Sequence, residues 1–427
     1  MIRPVPRVLL LLPTTTYRAR DFLEAAGSLG VEVVVGSDGR QVLEDVTGAN
    51  TLVLPLGDPD EKGVRAAVDA IVEANTLTPF DAIVGVDDRG VVAAAAASER
   101  LGLPGNHVEA VRRTRDKREQ RRAFGAAEVP QPAYSVLEPE DVRRLCAGEH
   151  LGSDELVSFP AVIKPLGLSG SQGVIRVDRE ADLPAVAQRV AQVVTGAEGG
   201  EATDPPEPSP LLLEEFVPGP EVAVEAVVRS GQVRVLAVFD KPDPLDGPYF
   251  EETIYVTPSR HSEEDLRDLE RVVGAGVGAL GLTDGPVHAE ARISDRGVRL
   301  LEVAARSIGG LCARALRFGV GVSLEEVILR HALQDRQPVL VPEGAASGVM
   351  MLPIPRAGTL RDVRGVEEAR AVPGVVGLET TIPRGSTVEP LPEGGRYLGF
   401  VFARGASPDE VESTLRTAHG KLTIDIT

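Results

Sequence analysis

The sequence predicts a protein of mixed α/β and α+β class that contains more than one domain. Its 427 residues are too many for one small core, and at about 150 residues per domain they suggest roughly three units. Strands and helices alternate near the start of the chain, whereas short strands bounded by turn residues dominate the later segments. The first pattern is typical of a parallel sheet flanked by helices, and the second of an α+β unit.

The N-terminal region predicts the parallel sheet. Apolar runs are followed by segments with helical periodicity, and this pairing occurs twice. The predicted elements are a strand at 7–12, a helix at 17–29, a strand at 31–35, a strand at 82–86 and a helix that continues to Arg100. The turn at 12–16 lacks the Gly-x-Gly-x-x-Gly pattern, so a nicotinamide-binding role is disfavoured for this domain.

The rest of the chain predicts an α+β unit followed by a separate C-terminal subdomain that begins at about residue 344. The predicted strands lie at 161–164, 174–177, 211–214, 222–228, 348–352, 374–380 and 397–403, and the predicted helices at 263–280, 324–332 and 408–419. Residues 196–210 are rich in proline, glycine and acidic side chains, without an apolar residue large enough to anchor a core. We expect this segment to be a mobile excursion.

Composition excludes several classes of function. The formal net charge of −19, from 64 acidic and 45 basic residues, argues against a nucleic-acid partner, because gripping phosphate backbones requires a basic surface. Cys146 and Cys312 are far apart and lack metal-binding spacing, so neither a disulfide framework nor a zinc site is expected. The apolar run at 8–12 is too short for a membrane span or signal peptide. These features predict a cytoplasmic protein.

Residues 287–304 predict a hairpin that faces two carboxylates toward each other. Alternating apolar positions place Glu290 on the polar face of the first strand. A three-residue loop at 295–297 would pair Ser294 with Val298 and set Glu290 opposite Glu302. Carboxylates this close repel and need a bound proton or a cation between them, and oxygen ligands favour Mg²⁺. The alternative is that both glutamates are solvated. A two-residue turn would leave the pair out of register.

A glycine- and serine-rich loop follows Lys164, which ends a predicted strand. Glycines in the loop, residues 165–173, allow backbone amides to close on an anion, and Ser169 and Ser171 add hydroxyl donors. The Lys164 ammonium supplies a compact positive charge. The loop therefore predicts a phosphate site, with an ordinary turn as the alternative.

A possible nucleotide hinge comes next. The strand at 211–215 leads into a tight connection, where Phe216 and Val217 could wall a purine and Glu221 could accept from ribose hydroxyls. Upstream, Lys117 lies in a charged helix and could reach a nucleotide phosphate. A simple strand-to-turn junction and a solvated helix face are the alternatives for these segments.

In combination, these features resemble those of the ATP-grasp superfamily of carboxylate–amine ligases, over about residues 1–340. They follow in the order Lys117, Lys164 with its loop, the hinge, Glu290 and Glu302. The segments 288–290, His-Ala-Glu, and 301–309, Leu-Glu-Val-Ala-Ala-Arg-Ser-Ile-Gly, are similar to motifs of the L-amino acid ligases, which make dipeptides. The stretch from about residue 344 also resembles the extra domain of that subfamily.

The resemblance implies an ATP-grasp fold, in which two α+β lobes clamp ATP. An N-terminal Rossmann-like domain without dinucleotide would span 1–112, the ATP-grasp domain 113–340, and a C-terminal α+β subdomain 341–427. The smaller lid lobe would cover about 133–215.

The resemblance also implies roles for individual residues. Arg306 and Lys164 would be catalytic, with Arg306 stabilising the transferring γ-phosphate and the acyl phosphate. Glu290 and Glu302 would hold two Mg²⁺ ions, for which Mn²⁺ can substitute. The implied substrate contacts are His288, Gly309 and Gly310. The implied nucleotide-binding residues are Lys117, Lys164, Ser169, Gly170, Ser171, Gly173, Glu214, Phe216, Val217 and Glu221.

Some of these residues are compatible with more than one role. Ala304 stands where many relatives carry Asn, a departure that the dipeptide-ligase branch tolerates and that leaves full metal coordination undecided. His288 could contact substrate, act as a base or make a structural hydrogen bond, and Arg306 could simply pair with a carboxylate. The stretch 240–260, rich in proline and aromatic residues, could line the substrate pocket or form a surface loop.

The implied reaction joins an amino acid carboxylate to an amine, such as a second amino acid. The carboxylate would attack ATP, giving ADP and an acyl phosphate, and the amine would then displace phosphate. Small-molecule substrates and a homodimer are expected, with no membrane partner. One alternative is a ligase or carboxylase acting on another small carboxylate, as in purine biosynthesis, and the other is a non-catalytic nucleotide-binding module.

Overall fold

The computed structural model of the protein describes residues 5–39, 50–56, 61–152, 156–197, 208–319, 321–335, 337, 340–341 and 344–427. Within these residues, three packed units surround one cavity. Most of the expected excursion, from 198 to 207, lies outside the described residues. Among the described residues, no helix is both long and apolar enough to cross a membrane.

The first unit contains the predicted parallel sheet. Its elements are β1 (Arg7–Leu11), α1 (Ala19–Leu29), β2 (Glu32–Ser37), β3 (Asn50–Val53), α2 (Glu61–Leu77), β4 (Ala82–Gly85), α3 (Val91–Leu101) and α4 (Val108–Thr114). The strand order is β3-β2-β1-β4, and every pair is parallel. The apolar run of β1 is almost completely buried, because helices cover both faces of such a sheet.

The second unit, which we call the lid, is a small antiparallel sheet with two helices. The helix α5 (Lys117–Ala126) leads into it. The elements of the lid are β5 (Tyr134–Leu137), α6 (Pro139–Cys146), β6 (Ala161–Pro165), β7 (Ile175–Val177), α7 (Leu183–Ala197) and β8 (Leu211–Glu215). The strand order is β5-β8-β6-β7, so the predicted glycine loop connects β6 to the edge strand β7.

The third unit is a large antiparallel sheet. Its strands are β9 (Glu221–Arg229), β10 (Gln232–Asp240), β11 (Ile254–Thr257), β12 (Asp284–Ser294), β13 (Gly297–Ala304), β16 (Ala346–Leu352), β18 (Val375–Thr380) and β20 (Gly399–Gly405). They run in the order β13-β12-β9-β10-β11-β16-β20-β18. The strands after residue 344 therefore extend the sheet that the middle of the chain begins.

Shorter strands and the remaining helices complete this unit. They are α8 (Glu263–Leu280), β14 (Arg317–Phe318), β15 (Val322–Ser323), α9 (Leu324–Ala332), β17 (Gly358–Arg364), α10 (Val366–Arg370), β19 (Thr387–Val388), α11 (Pro408–His419) and β21 (Thr423–Ile426). Helix α8 covers one face of the sheet, where Val273 and Val277 share a core with Val287 and Ala289. Each of the buried valines contributes about 1.5–3 kcal/mol, which fixes the polar face of β12 toward the cavity.

The hairpin of β12 and β13 has the predicted pair but not the predicted turn. Ser294 pairs with Gly297 across a two-residue turn, rather than with Val298 across three residues. A β-bulge then shifts the ladder by one residue, because Leu301 is an extra residue in β13. Glu290 consequently stands opposite Glu302. The prediction of the turn was wrong, and the bulge restores the register that the turn would have lost.

We predict opposite effects for two glycine substitutions in α8. A β-carbon at Gly276 would lie 2.3 Å from Leu300 Cδ2, whereas one at Gly274 would meet no atom within 4 Å. Gly276→Ala should lower the free energy of unfolding by about 1–3 kcal/mol through overpacking. Gly274→Ala should raise it by about 0.5–1 kcal/mol, because a helical glycine loses more entropy on folding. Urea denaturation measures both, and equal effects would contradict the close packing of α8 on β13.

Candidate active site

A cavity of about 460 Å³ lies where the three units meet. All of the site residues expected from the sequence line it except Gly173. The stretch 240–260 contributes Phe250, Glu252 and Tyr255 to the lining. Residues far apart in the chain thus converge as the resemblance implied.

The facing carboxylates are surrounded by cationic side chains. Glu290 Oε1 lies 3.3 Å from both Lys241 Nζ and His288 Nε2, and Glu302 Oε2 lies 3.4 Å from Lys117 Nζ. Burial opposes ionisation of Glu290, but Lys241 and His288 outweigh it and hold the pKa of this carboxyl well below its usual range. Glu290 is therefore ionised and suited to hold a cation.

Lys241, which was not among the expected site residues, is the centre of this charge cluster. Its Nζ lies 2.7 Å from Glu221 Oε1 and is also bonded to Glu252. Carboxylate oxygens of Glu221, Glu252 and Glu290 all lie within 4.8 Å of one another. Burial disfavours the ammonium, but these carboxylates keep the pKa of Lys241 well above its usual value. The sequence feature that could have indicated this role is the position of the lysine directly after a buried strand.

Glu221 differs from its expected part as a ribose acceptor. Its second carboxylate oxygen, Oε2, accepts a hydrogen bond from Arg292 Nε at 3.1 Å. Both oxygens are therefore engaged by cationic side chains, although Glu221 still lines the cavity. Phe216 and Val217 also line the cavity, and Arg292 lies over the Phe216 ring.

The two expected phosphate-binding lysines occupy different surroundings. Lys164 Nζ lies 2.6 Å from Glu214 Oε2, and burial lowers the pKa of Lys164 despite this partner. Lys117 Nζ donates to the Leu168 carbonyl at 2.7 Å. The Glu214 carboxylate is thus buried between Lys164 and Arg121, and each of its two oxygens forms an ion pair.

The glycine loop contacts the C-terminal part of the chain. Gly173 N donates to the Pro392 carbonyl at 2.9 Å, and a β-carbon at Gly173 would lie 2.8 Å from the Pro165 side chain. The Gln172 side-chain amide donates to the Glu393 carbonyl at 2.8 Å. Gly173 therefore shapes and anchors the loop, while Ser169, Gly170 and Ser171 face the cavity.

Arg306 makes the ion pair that the sequence left as an alternative. Its Nε and Nη2 donate to the two carboxylate oxygens of Asp88 at 2.9 and 3.0 Å. Asp88 follows β4 and also pairs with Arg115, so these arginines outweigh burial and lower its pKa. Arg306 still lines the cavity. The sequence reasoning missed Asp88, although the carboxyl end of a parallel strand often contributes to a site.

His288 is held between two carboxylates. Its Nδ1 lies 2.6 Å from Glu225 Oε1, and its Nε2 faces Glu290. Burial opposes protonation, but the hydrogen bonds raise the pKa of His288 to about 9. A protonated imidazole donates from both nitrogens, so His288 has the geometry of a structural cation rather than a free base. Glu225 Oε2 also accepts from Ile308 N at 3.0 Å, which anchors the loop after Arg306.

The far end of the cavity has an aromatic wall with a carboxylate. Besides Gly309 and Gly310, its lining includes Tyr17, Glu252, Tyr255, Cys312, Tyr397 and Phe400. A β-carbon at Gly310 would lie 2.9 Å from the Phe400 ring, so this glycine keeps the wall open. The buried Tyr397 hydroxyl has no hydrogen-bond partner among the described residues. A small molecule with polar groups could satisfy it.

Comparisons with known proteins agree with this geometry. Residues 23–105 match the ATP-grasp N-terminal domain, residues 157–315 the ATP-grasp domain, and residues 350–427 the L-amino acid ligase C-terminal domain 2. Alanine–anticapsin ligase of Bacillus subtilis is 26% identical over 313 residues, which cover 70% of this chain and 63% of that protein. Carnosine synthase 1 of Gallus gallus is 27% identical over 345 residues, covering 79% and 37%. The aligned part is less than two thirds of either relative.

Solved structures agree on the fold. The L-amino acid ligase from Bacillus licheniformis is 24% identical with a TM-score of 0.79, over 99% of both chains. Phosphoribosylglycinamide synthetase from Anaerococcus prevotii is 15% identical with a TM-score of 0.68, over 99% of this chain and 100% of the other. The predicted fold class is confirmed. Residues 157–315 thus match the ATP-grasp domain, and the chain is similar in fold to an L-amino acid ligase.

Proposed function

We propose that this chain is an ATP-dependent ligase that joins the carboxylate of an amino acid to an amine, such as that of a second amino acid. ADP and phosphate would be the other products. The observation that carries the proposal is the convergence of the facing Glu290 and Glu302, Lys117 and Arg306 on one cavity. The match of residues 350–427 to the C-terminal domain of L-amino acid ligases supports amino acids as substrates.

The donor set fits ATP with a divalent cation. Glu290 and Glu302 present hard oxygen atoms, which Mg²⁺ prefers, and Mg²⁺ commonly completes its shell with substrate phosphates and water. Such an ion would neutralise the phosphate oxygens and stabilise charge during transfer. Lys117 and Lys164 also line the cavity, and their ammonium groups would pair with the phosphates.

The proposed chemistry has two steps. The substrate carboxylate oxygen bonds to the γ-phosphorus as the bond to ADP breaks, which gives an acyl phosphate. The amine nitrogen then bonds to the carbonyl carbon, phosphate leaves, and the nitrogen loses a proton. Arg306, oriented by Asp88, offers a planar fork to the charge that develops on the transferred group. His288 positions Glu290 and the 306–310 loop rather than moving this proton.

The far end of the cavity suits an amino acid. Burial raises the pKa of Glu252, and the Lys241 ammonium opposes this increase only in part. An incoming ammonium group would favour the ionised carboxylate, and the aromatic wall offers apolar contact to a side chain. An amino acid could thus place its carboxylate toward Arg306 and its ammonium toward Glu252.

The direct test is product analysis with a panel of amino acids, supplied singly and in pairs with MgATP. We expect ADP and phosphate in equal amounts and a product with the mass of a dipeptide. AMP with pyrophosphate would contradict the mechanism. Turnover only with other small carboxylates would favour the purine-type alternative, and binding of ATP without turnover would favour the non-catalytic module.

We expect Glu302→Gln to reduce Mg²⁺-dependent ADP release by about 100-fold or more. Disturbing residues that merely support a metal ligand costs about 10–100-fold, and this change removes a ligand charge itself. Glu264→Gln, at an exposed position of α8, is the matched control and should retain activity. Steady-state rates over a Mg²⁺ titration measure both variants, and full activity of Glu302→Gln would refute the metal assignment.

We also expect Lys241→Met to lower the free energy of unfolding by about 3–5 kcal/mol, because it leaves buried carboxylates without their shared cation. The exposed Lys62→Met serves as the control and should change stability little. Denaturant unfolding without Mg²⁺ measures the difference. A loss as small as that of the control would show that Lys241 does not balance the cluster.

A further inference from the structure

We infer that Gln120 and Arg121 of α5 are positioning residues that hold the bulge in β13 and thereby keep Glu302 opposite Glu290. This inference rests on the proposed function, in which these two glutamates bind a divalent cation. Neither Gln120 nor Arg121 belongs to the expected site, and neither lines the cavity. Their effect on the cation would therefore be indirect.

The bulge needs partners outside the hairpin. Leu301 is the extra residue, and the ladder between β12 and β13 loses its regular hydrogen bonding around it. A buried carbonyl without a donor is costly. A regular ladder across the same two-residue turn would place Leu301 opposite Glu290 and move Glu302 out of register. Groups that stabilise the bulge therefore determine the separation of the two glutamates.

Arg121 supplies donors to the bulge. Its Nη2 donates to the Leu301 carbonyl at 2.6 Å, and its Nη1 donates to the Leu300 carbonyl at 3.4 Å. Its Nε donates to Glu214 Oε1 at 2.6 Å, so the guanidinium is charge-balanced although only 1% exposed. A planar guanidinium can satisfy these three acceptors at once, which an ammonium cannot do in the same geometry.

Gln120 holds the other side of the bulge. Its Oε1 accepts from Val303 N at 2.9 Å, and its Nε2 donates to the Thr114 carbonyl at 2.9 Å. The residue is 1% exposed. The clamped residues, Leu301 and Val303, flank Glu302 on both sides. The carboxylate is thus fixed through its own backbone.

The spacing on α5 explains how one helix does this. Lys117, Gln120 and Arg121 are three and four residues apart, so they share one helical face. Lys117 reaches Glu302 Oε2, while Gln120 and Arg121 reach the backbone on either side of Glu302. The helix therefore sets both the position and the charge environment of this glutamate.

The test measures Mn²⁺ binding by electron paramagnetic resonance in the presence of the non-hydrolysable analogue AMP-PNP. The variants are Gln120→Leu and Arg121→Lys, the second of which retains a cation for Glu214. The control is Arg122→Lys, on the exposed face of the same helix. AMP-PNP affinity without metal and thermal unfolding are measured in parallel. If Arg121→Lys unfolds, Gln120→Leu carries the test, because it leaves the Arg121–Glu214 ion pair in place.

We expect Mn²⁺ to bind roughly 10–100-fold more weakly to both variants, as for other residues that orient metal ligands. In Gln120→Leu the metal-free affinity for AMP-PNP should be unchanged, because the Gln120 side chain hydrogen-bonds to Thr114 and Val303, which do not line the cavity. Mn²⁺ affinity equal to that of the control, or an equal loss of metal and nucleotide affinity, would overturn the inference. If the native protein itself binds no Mn²⁺ with AMP-PNP, the proposed function fails instead.

Discussion

Two carboxylates placed directly opposite each other repel, and much of the site can be understood as a response to that repulsion. Glu290 and Glu302 face each other across β12 and β13. Cationic groups from three other positions compensate them: Lys241 after β10, His288 on β12 itself, and Lys117 at the start of α5. Because these groups come from separate elements, the charge balance also ties the elements together. A divalent cation would enter a site that is already arranged to hold ionised oxygens.

Ion pairs and hydrogen bonds also connect the three units. Asp88 of the first unit orients Arg306 of the third unit. Arg121 of α5 binds Glu214 of the lid and also donates to the Leu301 carbonyl of β13 in the third unit. The glycine loop of the lid is anchored on the 392–393 backbone of the C-terminal region. Nucleotide, cation and substrate would therefore contact groups that already depend on one another. A substitution in one unit is expected to affect the geometry contributed by another.

Sequence periodicity predicted the local elements well, because alternation and helical spacing depend on neighbouring residues. The polar face of β12, the boundaries of α8 and the parallel N-terminal sheet all follow from such patterns. The bulge at Leu301 does not, since it depends on hydrogen bonds from Arg121, 180 residues away in sequence. Asp88 and Lys241 were missed for a related reason. Each lies in the loop that follows a strand, and only the folded chain brings it to Arg306 or Glu290.

The central claim is that a substrate carboxylate attacks the γ-phosphate of ATP in this cavity. Incubation of the protein with MgATP and an amino acid pair, in which the carboxylate of the first amino acid carries ¹⁸O, tests it most directly. Mass spectrometry of the released phosphate should detect one ¹⁸O atom per amide bond formed, because the bridging oxygen of an acyl phosphate leaves with the phosphate. Amide formation with unlabelled phosphate would contradict the account.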